Sequence, residues 1–147
     1  VYTDSTMRIP IKTIRVSVGK AGTETPTGTW TMHRAGRWQE LMGPSWGQYG
    51  THVVNGIFVH SVACGQANSY NLPVGEYLRL GNPASHGCIR ACVADAKWVW
   101  DNCNGSKIHI FDGTYTSNEA LKGPLGRKAL TPLRGSKNFD PTDPACK

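Results

Sequence analysis

Alternation of apolar and polar residues predicts two strands near the start of the chain. Residues 14–18 alternate up to Gly19, and a similar alternation returns at residues 30–33. A period of two residues is typical of strands with one buried face. The intervening segment is rich in glycine, proline and threonine, which favours turns. We therefore expect the chain to begin with a hairpin-like pair of strands.

The middle of the chain combines a segment without periodicity and an apolar run. Residues 34–50 hold three glycines before Gly50 and one proline among the aromatic residues Trp38, Trp46 and Tyr49, so we predict a long irregular loop that could bind a ligand. Residues 53–59 form an apolar run interrupted by Asn55 and Gly56. This run predicts a buried strand that presents His60 at its end.

The apolar period changes near residue 91. Cys92, Ala96, Val99 and Cys103 recur at spacings of four, three and four, which places them on one face of a helix. Residues 107–111 alternate again and predict a closing strand. Beyond residue 112 the pattern fades into glycine, proline, serine and lysine. We therefore predict a domain over residues 1–112 and a C-terminal tail over residues 113–147.

Composition agrees with one β-rich domain. The 147 residues are 39% hydrophobic, which is enough for a packed core, and the 17 glycines and nine prolines indicate many turns. The longest apolar stretch is far shorter than the ~18 residues that a membrane span needs. The first residues lack an initiating methionine and a leader-like apolar run, so we interpret the sequence as a mature or excised fragment.

Charge and cysteine content point away from the cytosol. Sixteen basic against ten acidic side chains give a net charge of +6, which suits nucleic acid, an anionic membrane or an acidic polymer such as a cell wall. Five cysteines in so short a chain are too many for a typical cytosolic protein, so we expect an exported one. Their odd number leaves one thiol over after full pairing, and that thiol is a candidate nucleophile.

The candidate chemistry lies in residues 85–90, just before the predicted helix. A thiol at a helix N-terminus feels the positive end of the helix dipole, and Arg90 adds positive charge, so we expect the pKa of Cys88 to be lowered. Gly87 permits a sharp turn whose amides could face the oxyanion of a tetrahedral intermediate. His60 is the candidate base, and a polar atom of Ser61 could fix its tautomer.

These residues resemble the catalytic domain of the L,D-transpeptidase (YkuD-like) family. The family motif is a histidine well upstream of a Ser/Thr-His-Gly-Cys-hydrophobic-Asn/Arg box. Here the matching residues are Phe58-Val59-His60-Ser61 and Ser85-His86-Gly87-Cys88-Ile89-Arg90, with further similarity at Thr25-Pro26-Thr27-Gly28 and Asp95-Ala96-Lys97-Trp98. The resemblance covers residues 1–112. The segment between His60 and Ser85 is longer than in many members, so its contacts are not transferred.

The resemblance implies a fold and a set of roles. The fold is mainly β with one main helix, a mixed β-sandwich, and the activity is cysteine acyl transfer on peptidoglycan stem peptides without a cofactor. Carried over, Cys88 is the nucleophile, His60 the general base and Ser61 its partner, with Gly87 and Cys88 as oxyanion donors. His86 and Arg90 would shape the site and meet substrate charge. Carbapenems acylate many family members, and we expect a monomer.

Other functions are compatible with parts of the sequence. If water accepts the acyl group, the same site is an L,D-carboxypeptidase. A zinc-stapled binding module is disfavoured because the spacing lacks Cys-x-x-Cys or His-x3-His pairs, although five side chains could contribute to it: His60, Cys64, His86, Cys88 and Cys92. No nucleic-acid-binding motif accompanies the basic tail residues Lys122, Arg127, Lys128, Arg134 and Lys137, so we expect no nucleic-acid partner.

The cysteines other than Cys88 predict two disulfides. Cys92 and Cys103 lie about 16 Å apart along one helix, whereas the Cα atoms of a disulfide lie within ~7 Å, so these two cannot pair. Two pairings survive. We prefer Cys64 with Cys92, both near the site, and Cys103 with Cys146, which would tether the tail to the domain.

Overall fold

The computed structural model describes residues 1–113, 128–133, 135 and 138–146. Within these residues the chain is mainly β with one main helix, as predicted, and it also contains one short helix. The elements in chain order are β1 (Gly28–Thr31), β2 (His33–Arg34), β3 (Trp38–Leu41), β4 (Ser45–Gln48), β5 (Thr51–Val54), β6 (Ile57–Ser61), α1 (Val74–Leu78), β7 (Ile89–Ala91), α2 (Val93–Asn102) and β8 (Lys107–Ile110). None of the helices in the described residues could cross a membrane.

The central sheet has the strand order β2-β5-β6-β7. Strands β5 and β6 form an antiparallel hairpin whose turn holds Asn55 at a φ of +49°, a conformation that asparagine tolerates better than most residues. Strand β7 lies parallel to β6 and places Arg90 opposite His60. The apolar run at residues 53–59 is therefore two strands, and His60 is the penultimate residue of the second.

The first predicted strand is not regular. Residues 14–18 run beside β7, but only Ser17 and Gly19 form isolated bridges, with Arg90 and Ser85. The side chain of Ser17 is buried, and its hydroxyl is satisfied there by donating to the carbonyl of Arg79. The predicted hairpin with residues 30–33 is also absent, since β1 pairs with the last strand β8. Alternation alone did not reveal these partners, which are distant in sequence.

The predicted long loop at residues 34–50 contains a hairpin. Strands β3 and β4 pair antiparallel, with Gln39 opposite Gly47 and Glu40 opposite Trp46. Gly43, at a φ of +63°, lies in the tight turn between them. Polar residues and glycine occupy the hairpin positions that would otherwise alternate, so the hydrophobic pattern did not predict the strands.

The main core lies between the central sheet and α2. Its buried members include Val53 on β5, Val59 on β6, Ile89 on β7 and Val99 on α2, and Met32 between β1 and β2 joins them. Trp98 packs against this cluster, and Trp100 packs against a second buried cluster that includes Ala96, so both helix tryptophans contribute to the core.

The C-terminal segment caps the N-terminus of α2. The first helical amides have no partner within a helix, and the side chain of Cys92 at the N-cap provides none. Instead, Val93 N–H donates to the Asp140 carboxylate at 2.8 Å, and Ala94 N–H donates to the Thr142 hydroxyl at 3.0 Å. The C-terminal segment at residues 138–146 thus completes the helix and is part of the packed structure.

Ion pairs to a buried carboxylate secure two further segments. Asp95 on α2 is almost fully buried. Its carboxylate forms ion pairs with the ammonium groups of Lys12, at 3.0 Å, and Lys128, at 2.5 Å. These contacts hold the pKa of Asp95 below its usual value although burial alone would raise it. Lys128 is the member of the basic tail set that the structure describes; Lys122, Arg127, Arg134 and Lys137 lie outside the described residues.

All five cysteines are free thiols, so neither predicted disulfide is formed in the structure. Cys92 and Cys103 flank α2 at opposite ends, as expected. Cys103 lies near the amino group of Val1, whereas Cys146 contacts Ser69 and Tyr70. These different surroundings explain why the tail is attached through Asp140 and Thr142 rather than through a Cys103–Cys146 bridge.

Replacing the remote cap should weaken the fold. Because Asp140 accepts a buried helix amide, Asp140→Ala is expected to lower the free energy of unfolding by about 1–2 kcal/mol, measured by urea denaturation. Asp112→Ala, which removes an exposed carboxylate, serves as the control. Equal stability of the two variants would show that the tail does not support α2.

Candidate active site

A groove of about 440 Å³ contains the residues that the motif predicts to act together. His60 on β6 and Cys88, just before β7, contribute to its lining, together with Ser85, His86 and Arg90. One wall is the β3–β4 hairpin and the other is the turn between β5 and β6. Parallel pairing of β6 and β7 is what brings the upstream histidine beside the cysteine box.

The tautomer of His60 follows from its hydrogen bond. Its imidazole is 1% exposed, and Nδ1 forms a short hydrogen bond with the main-chain carbonyl of Ser61. A carbonyl can only accept, so Nδ1 carries the proton and Nε2 keeps its lone pair. Ser61 therefore supplies the predicted polar atom, and it does so through the main chain.

Burial keeps the imidazole neutral. Loss of solvent is the main reason why the pKa of His60 falls to about 4, and the positive charge of Arg90 lowers it further. The hydrogen bond to Ser61 opposes this shift but does not overcome it. At neutral pH the side chain is thus a base with a free Nε2.

Gly47 provides the space for the ring. A Cβ atom on this residue would lie 2.6 Å from Nδ1 and 2.8 Å from Cγ of His60, which is closer than van der Waals contact allows. Strand β4 therefore packs its bare backbone against the imidazole. The sequence pattern did not single out Gly47, because a glycine among several others carries no signal of what it faces.

The hydroxyl of Ser61 connects the site to the C-terminal segment. It accepts the main-chain N–H of Gln48 at 2.8 Å, and the Gln48 side chain donates to Asp143 at 2.8 Å. All of these groups are buried. The residue that orients His60 is thus fixed through β4 by the tail, and neither Gln48 nor Asp143 was predicted from the sequence.

Cys88 does not have the lowered pKa that the sequence suggested. Its half-buried thiol donates to the carbonyl of Gly56 at 3.6 Å, and burial raises its pKa. Strand β7 separates Cys88 from α2, so the thiol is not at the helix N-terminus. Arg90 does act in the expected direction, but desolvation is the larger effect.

The side chains of Ser85 and Thr25 hold the turn at Gly87 through hydrogen bonds to its main chain. Gly87 has a φ of +119°, and a Cβ atom there would lie 2.8 Å from Cδ1 of Ile57. The hydroxyl of Ser85 accepts Gly87 N–H at 3.1 Å and donates to the carbonyl of Cys88 at 2.6 Å. Thr25 donates to the carbonyl of Gly87 at 2.7 Å.

This arrangement corrects one predicted role. The Gly87 amide is already bonded to Ser85, so in this conformation it is not an available oxyanion donor. Gly87 instead provides the backbone conformation that places Cys88. Ser85 of the motif and Thr25, in the segment of further similarity, thus support this turn, a role that the sequence pattern did not indicate.

Arg90 and His86 occupy different environments in the groove. Arg90 pairs with Glu76 of α1 at 2.8 Å, while its buried Nε has no hydrogen-bond partner among the described residues. His86 is exposed at the groove. The described residues contain no cluster of three or more side chains that could bind a metal.

The comparisons with known proteins agree with this geometry. The family model of the YkuD L,D-transpeptidase catalytic domain matches residues 1–123. The chain belongs to this family. The match extends past residue 112, where the sequence pattern placed the end of the domain, although most of the added residues lie outside the described part of the chain.

Individual proteins match this chain at low sequence identity or over a short segment. The chain is 26% identical to a fused Zn-dependent amidase/peptidase/peptidoglycan-binding domain-containing protein of Clostridium acetobutylicum, covering 69% of this chain and 40% of that one, with a TM-score of 0.50. An L,D-transpeptidase of Mycobacterium tuberculosis shares the fold at 23% identity and a TM-score of 0.52, over 67% and 42% of the two chains. The Bacillus subtilis protein YciB is 59% identical over 27 residues, 18% of this chain and 14% of that protein. The chain thus covers less than half of the length of each of these three relatives.

Burial of a neutral His60 makes stability depend on pH. The pKa of this group is about 4 in the folded protein and near 6.5 when unfolded, so the unfolded state binds more protons between these values. The free energy of unfolding should therefore decrease as the pH falls from 6.5 towards 4, by up to about 3 kcal/mol from this group. Urea denaturation of the parent and His60→Gln should show a steeper decrease for the parent, and parallel curves would contradict the assignment.

Filling the space at Gly47 should disturb the base. Gly47→Ala places a methyl group against the His60 ring, so we expect cysteine acylation to slow at least about tenfold, since small misplacements of catalytic groups are costly. Gly75→Ala, on α1 with open space around it, is the matched control. Unchanged acylation kinetics in Gly47→Ala would exclude close packing of β4 on the imidazole.

Proposed function

We propose that this domain is a peptidoglycan L,D-transpeptidase that forms a thioester acyl-enzyme on Cys88. The observation that carries the proposal is the presence of a thiol and a buried, neutral imidazole in the same groove. The family supports the substrate class, and the net charge of +6 suits an anionic polymer such as peptidoglycan. The proposed location is outside the cell, at the wall.

The proposed acylation begins from neutral partners. With the pKa of Cys88 raised and that of His60 lowered, the resting pair is a thiol and an imidazole rather than an ion pair. Nε2 of His60 accepts the thiol proton as the sulfur attacks the carbonyl on the L side of an L,D peptide bond. The carbon–sulfur bond forms, the carbon–nitrogen bond breaks, and His60 returns the proton to the departing D-alanine.

Transfer completes the cycle. An amine of a neighbouring stem attacks the thioester, the carbon–sulfur bond breaks, and a proton returns to Cys88 through His60. We assign oxyanion stabilisation to the main-chain amide of Cys88, because Ser85 occupies that of Gly87. Water in place of the amine would give L,D-carboxypeptidase activity from the same acyl-enzyme.

Mass spectrometry tests the nucleophile and the reaction together. Incubation with a defined tetrapeptide stem and an amine acceptor should give a product that has lost D-alanine and gained the acceptor, and Cys88→Ala should give none. A carbapenem should add its mass to the parent and not to Cys88→Ala. Cys103→Ala, which removes a buried thiol outside the groove, is the control.

The outcomes separate the alternatives. A carbapenem adduct that persists in Cys88→Ala would refute the nucleophile. Loss of D-alanine without addition of the acceptor, at every acceptor concentration, would identify a carboxypeptidase. If no tetrapeptide stem acylates the protein, activity on peptidoglycan stems is refuted.

A further inference from the structure

The guanidinium of Arg90 in the groove is bound by a carboxylate on α1. Arg90 lies opposite His60 in the parallel β6–β7 pair, and it lines the same groove as His60 and Cys88. Its Nη1 donates to Oε2 of Glu76 at 2.8 Å. The segment between the two motif elements, which carries α1, therefore reaches the active site through one ion pair.

This ion pair is the polar anchor of the arginine side chain. The Arg90 side chain is only 15% exposed, and its buried Nε has no hydrogen-bond partner among the described residues. A cation that is largely removed from water is stable there only when an opposite charge compensates for the lost hydration. Without the Glu76 carboxylate, the guanidinium would gain free energy by turning towards solvent.

The helix that carries Glu76 is itself fixed in place. The next residue, Tyr77, is fully buried, and its hydroxyl donates to the carbonyl of Thr131 at 2.8 Å. Leu80, just after α1, belongs to the same buried cluster, and its carbonyl accepts Nε of Arg15 at 2.7 Å. The carboxylate of Glu76 is thus presented from an anchored helix.

The place of the guanidinium matters because its charge acts on both reacting groups. It lowers the pKa of Cys88, which favours the negative charge that develops on the sulfur during attack. It also lowers the pKa of His60, which opposes the protonation of that base. Since the two effects oppose each other, the rate of acylation depends on how far the charge of Arg90 lies from each group.

We propose that Glu76 is a positioning residue of the active site, which holds the Arg90 guanidinium beside Cys88 and His60 during acylation. This inference rests on the proposed function, since it concerns formation of the acyl-enzyme. Glu76 takes no part in the bonds that form and break. It acts through Arg90, and it makes α1 a part of the active site although the family motif does not include that helix.

The test measures the rate of acyl-enzyme formation by intact-mass spectrometry, with a tetrapeptide stem and with a carbapenem. Glu76→Ala should lower the second-order rate constant about tenfold, because small misplacements of groups around the reacting atoms are costly. Glu76→Gln keeps the size of the side chain and weakens the contact, so a smaller decrease is expected. Urea denaturation of each variant shows that it is folded.

A double-mutant cycle separates positioning from a general effect on the fold. Arg90→Gln removes the charge that Glu76 holds, so adding Glu76→Ala to it should change the rate by less than about twofold. Damage to α1 alone would lower the rate by the same factor in both backgrounds. Arg79→Ala is the matched control, because Arg79 is 65% exposed and pairs with the other oxygen of the same carboxylate at 3.3 Å. It should react at the rate of the parent.

Two results would overturn the role of Glu76. One is acylation of Glu76→Ala and Glu76→Gln at the rate of the parent, and the other is an equal decrease by Glu76→Ala with and without Arg90→Gln. A parent protein that forms no acyl-enzyme would instead refute the proposed function. The parent reaction therefore distinguishes failure of this inference from failure of the function on which it rests.

Discussion

The burial of one imidazole between a main-chain carbonyl and a glycine is the constraint on which the site depends. The carbonyl of Ser61 fixes the proton of His60 on Nδ1, and burial lowers the pKa of the ring to about 4. Gly47 on the neighbouring hairpin leaves room for nothing larger beside the ring. A neutral base with a defined tautomer follows from these contacts, and no carboxylate among the described residues is hydrogen-bonded to the ring.

The rest of the domain supports that arrangement from several directions. Ser85 and Thr25 hold the turn before Cys88, so the thiol faces the groove on a fixed backbone. On the other side, Asp143 and Gln48 reach Ser61 through buried hydrogen bonds. The C-terminal segment therefore contributes to the site as well as to the cap of α2, which explains how a tail with little hydrophobic pattern is still ordered at residues 138–146.

Sequence patterns predicted the parts of the molecule that depend on local periodicity. The main helix α2 and the closing strand β8 were predicted correctly, and five motif residues line one groove: His60, Ser85, His86, Cys88 and Arg90. The partners of the first strand and the β3–β4 hairpin were missed because they depend on distant pairing and on glycines that face other groups. The predicted lowering of the Cys88 pKa was wrong for two reasons. The three residues of β7 separate Cys88 from the helix, and burial raises the pKa more than the charge of Arg90 lowers it.

The protonation state of His60 tests this account most directly. Nitrogen-15 NMR of the protein with labelled histidine side chains, at pH 7, distinguishes a neutral ring protonated at Nδ1 from a ring protonated at Nε2 or at both nitrogens, and His60→Gln identifies the signal. The account predicts the neutral Nδ1–H form, with Nε2 unprotonated. A doubly protonated His60 beside a Cys88 thiolate, or a neutral ring with its proton on Nε2, would contradict it.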